Sequence, residues 1–151
     1  MRIAYVINDA AFFVSHRLPL ALSVIKKGGN VCVISGQNIN VQRERDAIIH
    51  LKKNKIIHKE CYFTQGVGNI FFEIIGVLQL VYYLRKFNPT TIHSASSKGN
   101  FLAAFASNFV KKTNLILSVS GLGTFFVGKR NLKKQILFYL YKKILNFSFK
   151  R

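Results

Sequence analysis

Five short runs rich in Ile, Val and aromatic residues, alternating with stretches of helical character, constrain this chain more than any other feature. They are Arg2–Ile7, Asn30–Ser35, Ile56–Phe63, Thr90–Ser94 and Leu115–Val119. Strands that are apolar on both faces bury both, and strands that alternate with helices are joined by crossovers. Together these properties make a parallel sheet covered on two sides. The expected fold class is α/β: a Rossmann-like, doubly wound parallel sheet forming one domain over residues 1–151.

The connecting segments agree with that class. Ser15 is expected to cap a first helix with Pro19 in its first turn, where proline is tolerated. Leu18, Ala21, Leu22 and Ile25 make its apolar stripe, and Gly28 with Gly29 stops it. Gly36 closes the second strand. Val41–Lys53 reads as a polar helix with a thin stripe of Ala47, Ile48 and Leu51. The segment "TQGVGN" turns into a long apolar helix that Asn88 and Pro89 break near Phe87. "SSKGN" leads into a helix from Phe101 to Val110. A last helix runs from Leu132 to Asn146, with a sixth strand beginning at Phe147. The apolar run Asn69–Leu84 contains Glu73 and is shorter than the ~18–20 residues that a membrane span needs, so no transmembrane helix is expected.

Charge narrows the partners. The sequence has 23 Lys+Arg against five Asp+Glu, a formal net charge of +18, yet half of it is hydrophobic, which excludes a disordered polycation. Such a balance suits nucleic acid, a phosphorylated substrate or an acidic membrane surface. The basic pairs at 26–27, 52–53, 85–86, 111–112 and 142–143 each fall near the end of a helical pattern, where they complement the helix dipole. In an α/β sheet those ends lie opposite the ligand edge, which argues against a nucleic-acid partner. Cys32 and Cys61 share no C-x-x-C spacing and read as reduced, buried thiols. "MRIAYVIND" is a strand rather than a signal peptide, so a cytoplasmic location is expected.

In an open parallel sheet, ligands bind at the carboxyl ends of the strands, near the switch point. Three loops fall there. The first carries Ser15, His16 and Arg17: Arg17 can fork onto a phosphate or carboxylate, and His16 can exchange a proton near neutrality. The same three residues also suit a plain N-cap and a solvated first turn. The second loop offers Ser96, Ser97, Lys98 and Gly99 as a small, donor-rich turn that could also hold an anion. The third carries Ser120, Gly121 and Gly123, where glycines let main-chain N–H groups approach a ligand, or simply mark a turn. His50, His58 and His93 share no ligand spacing and read as ordinary strand or surface residues. H-E-x-x-H, G-x-G-x-x-G and G-x-x-x-x-G-K-[ST] are all missing from the sequence, so neither a metal site, a nicotinamide or flavin cofactor, nor a P-loop nucleotide is expected.

Three segments, "FFVSHRLPLALSVIKKGGNVCVIS", "IHSASSKGNFLAAFAS" and "LILSVSGLGTFF", resemble in order the N-terminal lobe of family 4 glycosyltransferases with the GT-B fold. The resemblance is strongest to bacterial enzymes that build lipopolysaccharide, capsule or other lipid-linked glycans. It implies the acceptor-side lobe of a retaining, hexosyltransferase-type enzyme that moves a sugar from a nucleotide-sugar donor to a lipid-linked saccharide, without a bound metal or other cofactor. It further implies a second, nucleotide-sugar-binding lobe beyond Arg151 or on another chain, without which this lobe is expected to be inactive. Ser15, His16, Arg17, Ser97, Lys98, Gly99, Ser120, Gly121 and Gly123 would then line the substrate cleft. Ser120 stands where many members of the family carry a histidine.

The last helix adds a membrane expectation. Ile136, Leu137, Leu140, Tyr141, Ile144 and Leu145 form one apolar arc, while Phe138, Tyr139, Lys142 and Lys143 make an aromatic and basic face. Such a face suits the inner surface of the plasma membrane with its anionic lipids, or a helix covered by the second lobe. The alternative class is a non-catalytic basic module that binds nucleic acid or anionic membrane.

Overall fold

The computed structural model describes residues 1–37, 40–64 and 69–119, together with Gln135, Tyr139, Lys142, Lys143 and Asn146, which are helical. The expected last helix, apart from those five positions, and the sixth strand lie outside the described residues. The elements are β1 (Arg2–Ile7), α1 (Ala10–His16), α2 (Leu18–Lys26), β2 (Asn30–Gln37), α3 (Val41–Lys53), β3 (Ile57–Thr64), α4 (Ile70–Phe87), β4 (Thr91–Ala95), α5 (Ser97–Ser107) and β5 (Asn114–Ser118). The five strands form one sheet in the order β3-β2-β1-β4-β5, and every neighbouring pair is parallel.

Strand alternation sorts the core into two layers. Ala4, Val6, Cys32, Ile34, Cys61, Phe63 and Ile92 point to one face, where Leu80 and Leu84 of α4 and Leu102, Ala103 and Ala106 of α5 cover them. Tyr5, Ile7, Val31, Val33 and Ala95 point to the other, against α1, α2 and α3. Burial pushes both thiols up to about 12, so Cys32 and Cys61 stay protonated within the apolar layer.

Three local devices set the shape. Asp9 caps α1 by accepting the Phe12 N–H, so the first helix begins directly after β1 and not at Ser15, and Arg17 marks the break into α2 with Pro19 in its first turn. β2 runs through Gly36 instead of ending there. A Cβ at that position would lie 2.2 Å from the Phe63 carbonyl oxygen and 2.7 Å from that of Asn8, so glycine permits the close passage of the chain past both. α4 rests on β3 at Gly76, where a Cβ would meet the Tyr62 carbonyl at 2.8 Å, and the Gln79 side chain accepts the Tyr62 N–H on this edge strand at 2.9 Å. Those two contacts fix which way α4 faces.

Candidate functional site

The sheet order changes direction between β1 and β4, so the crevice beyond their carboxyl ends is the expected ligand position. Two helices begin beside it. At α1 the free donors are already occupied by the protein's own carboxylates. Asp9 accepts from Phe12 at 2.7 Å, and Glu44, reaching across from α3, accepts from Ala10 at 2.7 Å and Ala11 at 3.1 Å. Glu44 is 6% exposed. Burial raises its pKa, against the pull of the two N–H donors, with the Asp9 and Glu60 charges acting in the same direction as burial. An anion-binding helix terminus thus exists after β1, but an internal carboxylate fills it.

The terminus of α5 is built differently. Ser96, its N-cap, has φ 83° and ψ 153°, a conformation that residues with a Cβ rarely adopt. Its hydroxyl donates to Asn8 Oδ1 at 2.7 Å and accepts the Gly99 N–H at 3.2 Å, joining the ends of β1 and β4. Glycine eases this approach: a Cβ at Gly99 would lie 3.0 Å from Ser96 Oγ and 3.2 Å from the Val6 carbonyl oxygen, so a larger residue would push the turn a few tenths of an ångström away from β1. Just below, buried Ser94 donates to Asn100 Oδ1 at 2.7 Å, and the Asn100 amide donates to the Ser118 carbonyl at 3.1 Å. Neutral groups therefore tie β1, β4 and β5 together at the switch point.

A third group lies on the α1–α2 side of the sheet. His93 Nε2 is 2.7 Å from Ser118 Oγ, and its ring centroid is 5.1 Å from that of Tyr5, which in turn meets Phe13 edge-on at 5.0 Å. Burial lowers the His93 pKa, and the Arg17 charge lowers it further. Burial raises that of Tyr5, which Arg17 partly offsets. The Arg17 charge is therefore felt by both Tyr5 and His93, and its Nε is buried without a hydrogen-bond partner among the described residues.

The structure separates the predicted residues. Ser15 and His16 are exposed in the last turn of α1: Ser15 Oγ lies 2.9 Å from the Ala11 carbonyl oxygen and 2.7 Å from His16 Nδ1, and the His16 ring stacks on Phe12 at 4.5 Å. Neither sits at a helix N-terminus, because the helix starts at Asp9. Ser97, Lys98 and Gly99 form the first turn of α5 instead of a preceding loop. Lys98 Nζ pairs with Glu73 of α4 at 2.6 Å, on the sheet face opposite that of α1 and α2. Ser120, Gly121 and Gly123 lie outside the described residues. Sequence reasoning passed over Glu44 and Asn8, placed Ser96 and Asn100 in the second loop without their hydrogen-bond roles, and read His93 as an ordinary strand or surface residue. Glu44 looked like an ordinary acid in the first turn of a polar helix, and nothing local tied it to Ala10.

With this geometry in view, comparison with known proteins decides the family. The sequence profile described as glycosyl transferase 4-like matches residues 2–151. This chain belongs to the glycosyl transferase 4-like family. Among solved structures, it is similar to MurG of Acinetobacter baumannii (TM-score 0.59, 10% identity), covering 89% of this chain and 38% of that one. It is also similar to the zinc-inhibited form of the teicoplanin deacetylase Orf2 (TM-score 0.60, 10% identity, 98% of this chain and 84% of that one). A teicoplanin complex of the deacetylase superposes comparably, with TM-score 0.58 and 10% identity over 96% of this chain and 86% of that one. At such identities the likeness speaks for the fold alone, which is the Rossmann-like α/β architecture of GT-B enzymes. No curated protein matches the sequence. The glycosyltransferase assignment gives the switch-point crevice its chemical context.

Proposed function

We propose that this chain is the acceptor-side, N-terminal lobe of a GT-B glycosyltransferase that works with a second lobe binding the nucleotide-sugar. The complete enzyme would transfer a hexose to a hydroxyl of a lipid-linked saccharide at the inner face of the plasma membrane. The bond between the sugar's anomeric carbon and the donor diphosphate breaks, the nucleoside diphosphate leaves with the bonding pair, a glycosidic bond forms to the acceptor oxygen, and the acceptor hydroxyl's proton passes to the departing phosphate or to water.

The observation that carries this reading is the occupied N-terminus of α1. A lobe that grips a donor diphosphate uses free helix-terminal N–H groups, and here Glu44 and Asp9 take them. What faces the crevice instead is Asn8, Ser96 and the first turn of α5, with Arg17 and His93 to one side. Neutral oxygen and nitrogen groups suit sugar hydroxyls, and one guanidinium suits the phosphate that links a saccharide to its lipid.

Backbone amide NMR of the chain titrated with two ligands tests the proposal. A short-chain lipid pyrophosphoryl saccharide is expected to shift the amides of Asn8, Arg17 and residues 96–99. UDP is expected to leave Ala10 and Ala11 unmoved. Saturable UDP shifts at Ala10 and Ala11, with none from the saccharide, would overturn the assignment to the acceptor side.

A further inference from the structure

α4 is apolar over most of its circumference, interrupted by Glu73 and Gln79 and ending in Arg85 and Lys86. Its inner side, Gly76, Leu80 and Leu84, is buried against the sheet. Its outer side exposes Phe71 (75%), Ile74 (54%), Ile75 (42%), Leu78 (64%) and Tyr82 (57%), spaced three or four residues apart along one stripe. Gly76 on the Tyr62 backbone and Gln79 on its N–H hold the helix in this orientation. A continuous exposed stripe of this kind marks an interaction surface. No helix among the described residues is long and apolar enough to cross a membrane.

The charges around the stripe say what covers it. It ends in exposed Arg85 and Lys86, with the Lys86 ammonium 6.0 Å from the Tyr82 ring. The Arg85 guanidinium donates to the Phe109 carbonyl at 2.9 Å, which brings the exposed pair Phe105 and Phe109, and Lys111 and Lys112 just beyond them, to the same end. Of the five acids in the sequence, Asp9 and Glu44 are buried at α1, Asp46 is on α3, and Glu60 takes the Gln37 amide. The fifth, Glu73, is salt-bridged to Lys98. The face is thus apolar with a basic fringe, and a second copy of a chain carrying +18 would be repelled from it.

We propose that the outer face of α4 docks on an anionic lipid bilayer. The aromatic and aliphatic stripe enters the headgroup–acyl boundary, while Arg85, Lys86, Lys111 and Lys112 meet lipid phosphates. This places the membrane contact on α4, and it stands whether or not the lobe handles a sugar.

Vesicle co-sedimentation of the full chain tests it. Vesicles rich in phosphatidylglycerol should bind at least ~10-fold more chain than pure phosphatidylcholine vesicles. Phe71→Glu with Leu78→Glu should abolish that excess at unchanged circular dichroism, because both residues are exposed. Tyr139→Ser with Lys142→Gln and Lys143→Gln should retain it. The sequence has no tryptophan, so the emission of a Leu78→Trp variant reports directly and should be quenched by brominated acyl chains. The proposal is overturned if the double glutamate variant binds like the parent, or if brominated lipid leaves the tryptophan unquenched. It is overturned equally if loss follows only the substitutions at 139, 142 and 143, or if light scattering shows a dimer that the glutamates dissolve while vesicles bind nothing.

Discussion

Glu44 of α3 holds the backbone N–H of Ala10 at 2.7 Å, 34 residues away in sequence, and its second oxygen takes that of Ala11. One side chain therefore does three things. It satisfies two buried donors, packs α3 against α1, and removes the site where a diphosphate would otherwise sit after β1.

Removing that carboxylate should be expensive. In Glu44→Ala both N–H groups lose their acceptor in a buried setting, at about 1–3 kcal/mol each, so a total loss of ~2–6 kcal/mol is expected. Glu44→Gln keeps one acceptor oxygen and should lose roughly half as much. Urea unfolding at constant m-value measures both, and an alanine variant as stable as the parent would sink the argument.

Much of the architecture was legible because its signals are periodic and local. α3 occupies Val41–Lys53 as its thin apolar stripe predicts, and all five strands lie within two residues of their apolar runs. The first helix was misread because Asp9 looks like the end of a strand, while Ser15 is followed by a proline that suits a helix start; the chain in fact forms two helices broken at Arg17. The site was less legible. Lys98 carries a charge that any reader would aim at a ligand, but its partner Glu73 lies 25 residues earlier on another helix. His93 lacks ligand spacing, and its setting arises only when β4 pairs with β1 and β5. The outward stripe of α4 was hidden for a different reason: a helix apolar on most of its sides gives little sign of which side is buried until Gly76 meets β3.

Ser96 offers a test that separates a strained backbone from its hydrogen bonds. At φ 83° a side chain is disfavoured, yet the hydroxyl bridges Asn8 and Gly99. Ser96→Ala keeps the strain and loses the cap, so a destabilisation of ~1–2 kcal/mol is expected. Ser96→Gly loses the same bonds but relieves the backbone, and should cost well under 1 kcal/mol, about what a glycine cap costs. Thermal unfolding of the two variants decides; an equal loss in both would mean that the backbone at Ser96 stores no strain.

Arg17 is expected to matter for transfer and not for folding. It sits at the junction of α1 and α2, half-buried, with its Nε lacking a partner among the described residues, so few interactions are lost on truncation. If it meets a phosphate in the cleft, Arg17→Ala in the complete enzyme should reduce transfer by about 10²-fold, the usual effect of deleting one charge-stabilising donor. Circular dichroism and unfolding midpoint should stay near the parent's. A variant with full transfer rate would remove Arg17 from the site.

Two half-buried histidines make the lobe sensitive to mild acid. Burial holds His58 and His93 below the ordinary value of 6.5, and Arg17 adds to the effect at His93. The unfolded chain therefore binds more protons than the folded one as pH falls through 6.5 toward their folded values, and stability is lost in that window. Glu44 acts in the opposite sense: its folded pKa lies above the ordinary 4.5, so folding gains as pH falls through the folded value toward 4.5. Urea midpoints at pH 7.5, 6.5 and 5.5 should accordingly fall in the parent and fall less in His58→Gln with His93→Gln. NMR titration gives the microscopic check, since Arg17→Met should raise the His93 pKa and leave that of His58, whose charged neighbours are Glu60, Lys59 and Lys52, where it was. If His93 does not move, the Arg17 charge is not felt there, and the cluster on that face of the sheet dissolves as a site.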